Sequence, residues 1–220
     1  LSPDGPEGTN EILSVGYYVM ADPWPDEVYQ TFNNGYRDIY VYHDEKALPI
    51  GFTYDTYITK SEFSRIEKSN RAMAMLKTLV VADEDEEKVS GVLRKYDAET
   101  DGAYTLDLRE EIKAVHKKES SEDFWNNSRG FGSTIVTDGA KYAFYSVPYS
   151  KSWSAQVNGQ DAEILSINGL MAVRVDAGEN TITFSYCNKG LYGGIILSVL
   201  GFIVWIGYIV YNRKRKEGNQ

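Results

Sequence analysis

From Leu191 to Asn212 the chain carries no charged residue, and Arg213-Lys214-Arg215-Lys216 follows at once. At a helical rise of about 1.5 Å per residue this run spans roughly 33 Å, enough to cross a hydrocarbon core of about 30 Å. A core helix of a water-soluble domain keeps a polar face. Here only Ser198, Asn212 and the glycines interrupt the apolar surface. The pattern predicts a transmembrane helix over 191–212 and a cytoplasmic basic tail over 213–220, because positive charge stays inside. Residues 1–190 are then extracytoplasmic at the cell membrane. Tyr192, Trp205, Tyr208 and Tyr211, with Arg213, Lys214, Arg215 and Lys216, make up the expected anchor, and the lipid bilayer is the first expected partner.

An outer segment of this length reaches the outside only behind a signal peptide or an upstream membrane helix. The chain opens Leu1-Ser2-Pro3-Asp4-Gly5-Pro6, with no basic n-region, no apolar h-region and no initiator Met. Either a signal has been removed or this is the C-terminal part of a larger membrane protein. The second is the expectation, and upstream transmembrane helices of the parent protein are then partners of the last one. Gly193, Gly194, Gly201 and Gly207 would let it approach them closely.

The formal charge of −9 understates an asymmetry: without the four tail cations and Glu217, 19 basic residues face 31 acidic ones, or −12. Such a surface argues against nucleic acid and anionic lipid as ligands of the outer face. Cys187 is the only cysteine, so no internal disulfide exists and the outer region is held by its core. Seventeen tyrosines and four tryptophans supply that core.

Residues 133–186 read as an antiparallel meander. Tyr142–Val147, Trp153–Val157, Ala162–Ile167, Leu170–Val175 and Thr181–Tyr186 are short β-branched and aromatic runs. Asp138-Gly139, Asn158-Gly159, Asn168-Gly169 and Ala177-Gly178 separate them, residues that accept the positive φ of tight hairpins. Ile182, Phe184 and Tyr186 alternate with Thr181, Thr183 and Ser185, so one face is buried and one wet. A second layer must cover that buried face, and a β-sandwich is expected.

The first half is mixed. Leu13–Met20 and Tyr36–Tyr42 read as strands around the turn Asp22-Pro23-Trp24-Pro25. Thr59-Lys60-Ser61-Glu62 fits a capping box ahead of Phe63, Ile66, Met73 and Leu76. Val89, Val92, Leu93 and Tyr96 fall at helical spacing, as do Leu108, Ile112 and Val115 behind Asp107 and Glu110. Thr78–Ala82 is a strand or the end of a helix. The fold class is therefore α+β: a mixed α/β region over 1–100, a sandwich-like β domain over 101–190 and one membrane helix, with the boundary near 97–103.

No segment spells out catalysis. Asp97, Glu99, Asp101 and Gly102 match the first half of a calcium loop, but the twelfth position is Leu108 where a bidentate Glu is needed, so an acidic turn is the simpler reading. Asp83-Glu84-Asp85-Glu86-Glu87 precedes a helix, where negative charge complements the dipole. His43 and His116 lie too far apart for a zinc motif, and no phosphate loop or nucleophile elbow is present. No metal, cofactor or catalytic residue is expected. Trp153, Tyr149 and Tyr145 gather around a bend and are the candidate glycan contacts, although a Trp at a strand start more often packs in the core. Asn126-Asn127-Ser128 is a glycosylation sequon only in a host that uses it.

Two stretches carry a family likeness. Tyr42-His43-Asp44-Glu45-Lys46-Ala47-Leu48-Pro49-Ile50-Gly51-Phe52 resembles the "YxNxxALPxGF" segment of the YfhO family of bacterial multi-pass membrane proteins. Ser146-Val147-Pro148-Tyr149-Ser150-Lys151-Ser152-Trp153-Ser154-Ala155-Gln156-Val157-Asn158-Gly159 resembles that family's "SVPYDKGWSAxVNG" run. Asp44, Ser150 and Ser152 depart from it. The resemblance implies a polytopic protein similar to GT-C-type glycosyltransferases, which use a polyprenyl-phosphate sugar outside the membrane to decorate cell-envelope polymers such as lipoteichoic acid. It also places the catalytic carboxylate on an early outer loop, outside this chain. The expected role is the distal outer domain and last span of such an enzyme, with the sugar carrier and polymer acceptor as partners. The alternative is a single-pass surface module that binds glycan or protein without catalysis.

Overall fold

The computed structural model describes residues 8–45, 47–105 and 108–217, and the side chains of 189, 192 and 210–217 fall outside that description. The chain divides into two compact units, Leu1–Ser185 and Tyr186–Gln220.

The first unit begins with the short helix α1 (Thr9–Ile12) and an antiparallel meander of β1 (Tyr17–Met20), β2 (Gln30–Asn33) and β3 (Asp38–His43), in the spatial order β1-β3-β2. Two of these strands are the expected ones, trimmed. β2 was not legible, because its residues are exposed throughout and show no alternation.

A small α/β lobe follows. β4 (Phe52–Tyr54) leads through Asp55 into β5 (Thr56–Thr59), then α2 (Lys60–Arg65), α3 (Arg71–Lys77), β6 (Leu79–Val81), α4 (Glu86–Ser90) and β7 (Arg94–Lys95). β5 sits between β6 and β7, parallel to both. The capping box is present as read: Thr59 Oγ1 accepts from Glu62 N, and Thr59 N donates to Glu62 Oε2 at 2.9 Å. The helical spacing from Val89 to Tyr96 misled, however. The helix stops at Ser90, and Leu93 and Tyr96 reach the core from a turn and from the end of β7. Thr78–Ala82 resolves as strand β6.

After α5 (Ala98–Asp101), helix α6 (Arg109–Lys118) buries Lys113 and His116 and leaves Val115 exposed, so its inward face is rotated from the predicted one. The proposed start at Asp107 lies outside the described residues.

The β region is longer than predicted. It comprises β8 (Glu122–Asn127), β9 (Gly130–Thr137), β10 (Lys141–Pro148), β11 (Trp153–Val157), β12 (Gln160–Ala162), β13 (Ile164–Ile167), β14 (Leu170–Val175) and β15 (Gly178–Tyr186). Two sheets result, β13-β14-β10-β4 and β12-β11-β15-β9-β8. Between them pack Ala143, Tyr145, Met171, Val173 and Val175 from the first and Phe131, Ile135, Ile182 and Phe184 from the second. This is the expected sandwich, with one difference: it is not confined to 101–190, because β4 joins β10 with Phe52 opposite Phe144.

The outer side of the four-stranded sheet is also covered. Tyr142 and Phe144 of β10, with Phe52, Tyr54, Leu165, Ile167 and Ala172, pack against Ile12, Met73, Leu76, Leu79, Val81 and Val89. Thus β10 is buried on both faces, and its side chains alternate between two cores. The segment 97–103 lies inside this unit, whose largest core draws from both sides of it.

The second unit is dominated by α7 (Lys189–Glu217), helical over 29 residues. Its described side chains run unbroken from Gly193 to Ile209 and are all exposed. Among the described residues no helix is long and apolar enough to cross a membrane, so the crossing expected at 191–212 does not emerge from the structure.

Candidate functional site

A polar cleft of about 500 Å³ opens where α1, the β1–β2 loop, β3 and α6 meet. The meander supplies one wall. Strand alternation sends Tyr18, Met20 and Tyr42 to the cleft side, while Tyr17 and Val19 face away and stay exposed. Trp24, Asp26 and Glu27 enter from the β1–β2 loop. That loop is pinned to β3, since Trp24 N donates to the Tyr42 hydroxyl at 2.6 Å and the hydroxyl donates back to Trp24 O at 3.3 Å. α6 forms the opposite wall. Arg109 and Lys113, four residues apart, lie on one helix face.

Charge in the cleft is arranged around these two cations. Arg109 Nε lies 3.6 Å from Glu11 and 3.7 Å from Glu110, and Lys113 Nζ lies 3.6 Å from Glu110. Five carboxylates (Glu11, Asp26, Glu27, Asp44, Glu110) line the space with the two cations. Burial raises the Tyr18 phenol above its ordinary value, and Asp44 and Glu11 add to the effect. Chemically the cleft offers ring faces for stacking and a surplus of hydrogen-bond acceptors, a combination suited to polyhydroxylated ligands.

The sequence-predicted contacts lie elsewhere. Tyr145 is fully buried, its hydroxyl 2.8 Å from Ser133 Oγ and its ring against Phe184, so its face is closed to a sugar. Trp153 and Tyr149 are half-buried against the same core, and Trp153 meets Phe131 edge-on at 5.4 Å. The core reading of Trp153 is the better match to this packing. Of the anchor residues, Trp205 and Tyr208 are exposed on α7. The side chains of Tyr192, Tyr211, Arg213, Lys214, Arg215 and Lys216 lie outside the described ones.

Two charged groups are structural. Asp101 is gripped by Arg94 through both oxygens at 2.7 and 2.8 Å, which holds its carboxyl down to about 2. Its turn, once a calcium-loop candidate, is closed by Asp97 accepting from Glu99 N. Lys141 reaches Asp55, Glu119 and Asp138 at 2.7, 2.7 and 2.9 Å. Among the described residues no cluster of His, Cys, Asp or Glu could hold a metal ion.

Residues 95–198 match a family model described as bacterial membrane protein YfhO. The match contains the Ser146–Gly159 run and the α6 wall of the cleft, but not the Tyr42–Phe52 run or the other cleft elements. No curated protein and no solved structure matches the chain.

Proposed function

Because this chain belongs to the YfhO family of bacterial membrane proteins, we propose that its first unit is an outer domain, held at the cell membrane by α7 with the C-terminus in the cytoplasm. The whole protein would be a glycosyltransferase that moves a sugar from a polyprenyl-phosphate carrier to a cell-envelope polymer such as lipoteichoic acid. The catalytic carboxylate lies outside these 220 residues, and the outer domain receives the acceptor. One feature supports the membrane part. Leu197 and Val204 of α7 are 71% and 72% exposed, and the other described apolar side chains around the helix are exposed as well, a surface that needs lipid or other helices to cover it. The carbohydrate part is carried by the cleft, where Trp24, Tyr18 and Tyr42 meet an excess of carboxylates.

The test is sugar transfer in membranes holding the full-length protein, with a labelled polyprenyl-phosphate sugar as donor. Trp24→Ala at normal protein level should lower transfer about two- to twelvefold, the loss expected for one stacking contact of roughly 0.5–1.5 kcal/mol. Unchanged transfer removes the cleft from the reaction. Glycan binding without transfer by the wild type would favour the second reading, a membrane-anchored binding module.

A further inference from the structure

We propose that the outer face of the five-stranded sheet is a second carbohydrate site, which takes an uncharged oligosaccharide with Trp125 as its stacking platform. It shares no residue with the cleft and does not depend on the reading given to it. Phe131, Ile135, Ile182 and Phe184 point into the sandwich, so the alternate positions Gly132, Thr134, Thr181 and Thr183 lie on the outward face. On the edge strand β8 a bulge at Asp123, with φ 48°, shifts the register between Glu122 and Trp125. Phe124 stacks on inward Phe131, and Trp125 stands outward opposite Gly132. A Cβ on Gly132 would stand 2.8 Å from both Cε2 and Cζ2 of the indole. The ring therefore lies over β9, in the space a side chain there would fill, and Trp125 is still 43% exposed. Thr183 of β15 faces Gly132 from the other side and continues the row.

The chemistry of this face selects its ligand. Val136 is the only other large apolar side chain exposed at its outward positions among the described residues. The core of a protein interface and a bilayer contact both need a cluster of such groups, and one Trp with one Val does not supply it. The five strands contain no Lys and no Arg. The face therefore has nothing to pair with the phosphates of nucleic acid, of a lipid-linked sugar or of a polyanionic polymer. Its outward carboxylates, Glu122, Glu179 and Asp161, would repel them, and Asp161 already accepts from Gln156 Nε2 at 3.0 Å. What surrounds the ring is hydroxyl and amide, from Thr134, Thr181, Thr183 and Gln156, each both donor and acceptor. Such groups match the hydroxyls of a sugar, while the apolar C–H side of the sugar ring covers the indole.

The experiment is indole ¹H–¹⁵N NMR of the whole 220-residue chain in polyoxyethylene detergent micelles. Trp24→Phe, Trp125→Phe, Trp153→Phe and Trp205→Phe assign the four tryptophan signals. The probes are cellotetraose and the N-acetylglucosamine tetrasaccharide, both uncharged, and the anionic tetragalacturonate. A neutral probe should move the Trp125 signal saturably, and tetragalacturonate should do so about tenfold more weakly. Thr183→Val keeps the side-chain shape without the hydroxyl. It should weaken the neutral probe about two- to twelvefold, the worth of one hydrogen bond, with an unshifted Trp153 signal as the sign that the sandwich is folded. A Trp125 signal that neither neutral probe moves, an equal response to tetragalacturonate, or full affinity in folded Thr183→Val would overturn this site. A Trp24 signal that stays still while Trp125 moves would count against the cleft reading and support this one.

Discussion

Lys141→Met isolates the contact that ties the sandwich to the α/β lobe. The ammonium bridges Asp55 after β4, Glu119 after α6 and Asp138 in the β9–β10 turn. Asp55 and Asp138 are 61% and 83% exposed, so solvent screens their pairs and they add little. Glu119 differs, being only 16% exposed. Without Lys141 its carboxylate keeps bonds from Thr53 Oγ1 at 2.6 Å and Asp138 N at 3.0 Å but loses its counter-charge. Stranding a fully buried charge costs about 3–5 kcal/mol, and with those two bonds retained about 2–3 kcal/mol is expected. For a unit of this size that corresponds to a fall in Tm of roughly 5–10 °C.

The pH dependence follows from the shifts. Burial opposes the charge on Lys141, yet the three carboxylates outweigh it and hold the amine above its ordinary value. Its contribution is therefore complete below about pH 10 and lost as pH rises through the raised value. Hydrogen bonding to Lys141 lowers the Asp138 carboxyl, so that contribution is complete above about pH 4 and lost as pH falls through the lowered value. Thermal unfolding followed by near-ultraviolet circular dichroism should show a constant gap between wild type and variant from about pH 5 to 9, narrowing by the small Asp138 share as pH falls below about 4. A gap under 2 °C at pH 7, or one that widens below pH 4, would refute the reasoning.

Tyr145→Phe removes the partner of buried Ser133 Oγ and should cost about 1–2 kcal/mol in chemical denaturation, with no change in ligand binding at the cleft. Gly51 has φ +110°, and a Cβ there would sit 2.7 Å from Tyr145 Cε1, so Gly51→Ala should cost about 2–4 kcal/mol; a neutral result would mean the Tyr145 ring can shift. Burial lowers the His116 imidazole, against the pull of the Leu76 and Thr53 carbonyls 2.6 and 2.8 Å from its nitrogens. Its stabilisation is thus complete above about pH 6.5 and declines as pH falls toward the lowered value, so imidazole ¹⁵N shifts that titrate above pH 6.5 would contradict it. Trp153→Ala should destabilise by about 3 kcal/mol or more through lost core packing while leaving the affinity of the cleft for sugar unaltered, measured on the folded fraction.

Local chemistry was readable in the chain, and long-range assembly was not. Asn158-Gly159 and Asn168-Gly169 both take positive φ at each position, as the hairpin reading required, and Thr59 with Glu62 caps α2. Those features depend on residues within four positions of one another. The pairing of β4 with β10 joins residues about ninety positions apart, and no local pattern announces it. Tyr145 and Trp153 stood as candidate glycan contacts beside the core reading, because sequence shows composition and not which face of a strand is covered. The cleft draws on residues 10–44 and 109–113, which only folding brings together. One signal was available, the i, i+4 pair Arg109 and Lys113. It lay on a helix whose inward face periodicity misassigned, because Lys113 and His116 are buried polar residues that a hydrophobic pattern passes over.

The anchoring of the first unit outside the cell is the claim on which the rest stands, and Cys187 tests it most directly. It is exposed, it is the sole cysteine of these 220 residues, and it lies just before α7. Intact cells carrying this chain as the only cysteine source in its parent are treated with a membrane-impermeant maleimide, and an epitope placed after Gln220 is probed in parallel. The account predicts labelling of Cys187 from outside, with the epitope reached only after permeabilisation. A protected Cys187 together with an epitope accessible on intact cells would contradict it.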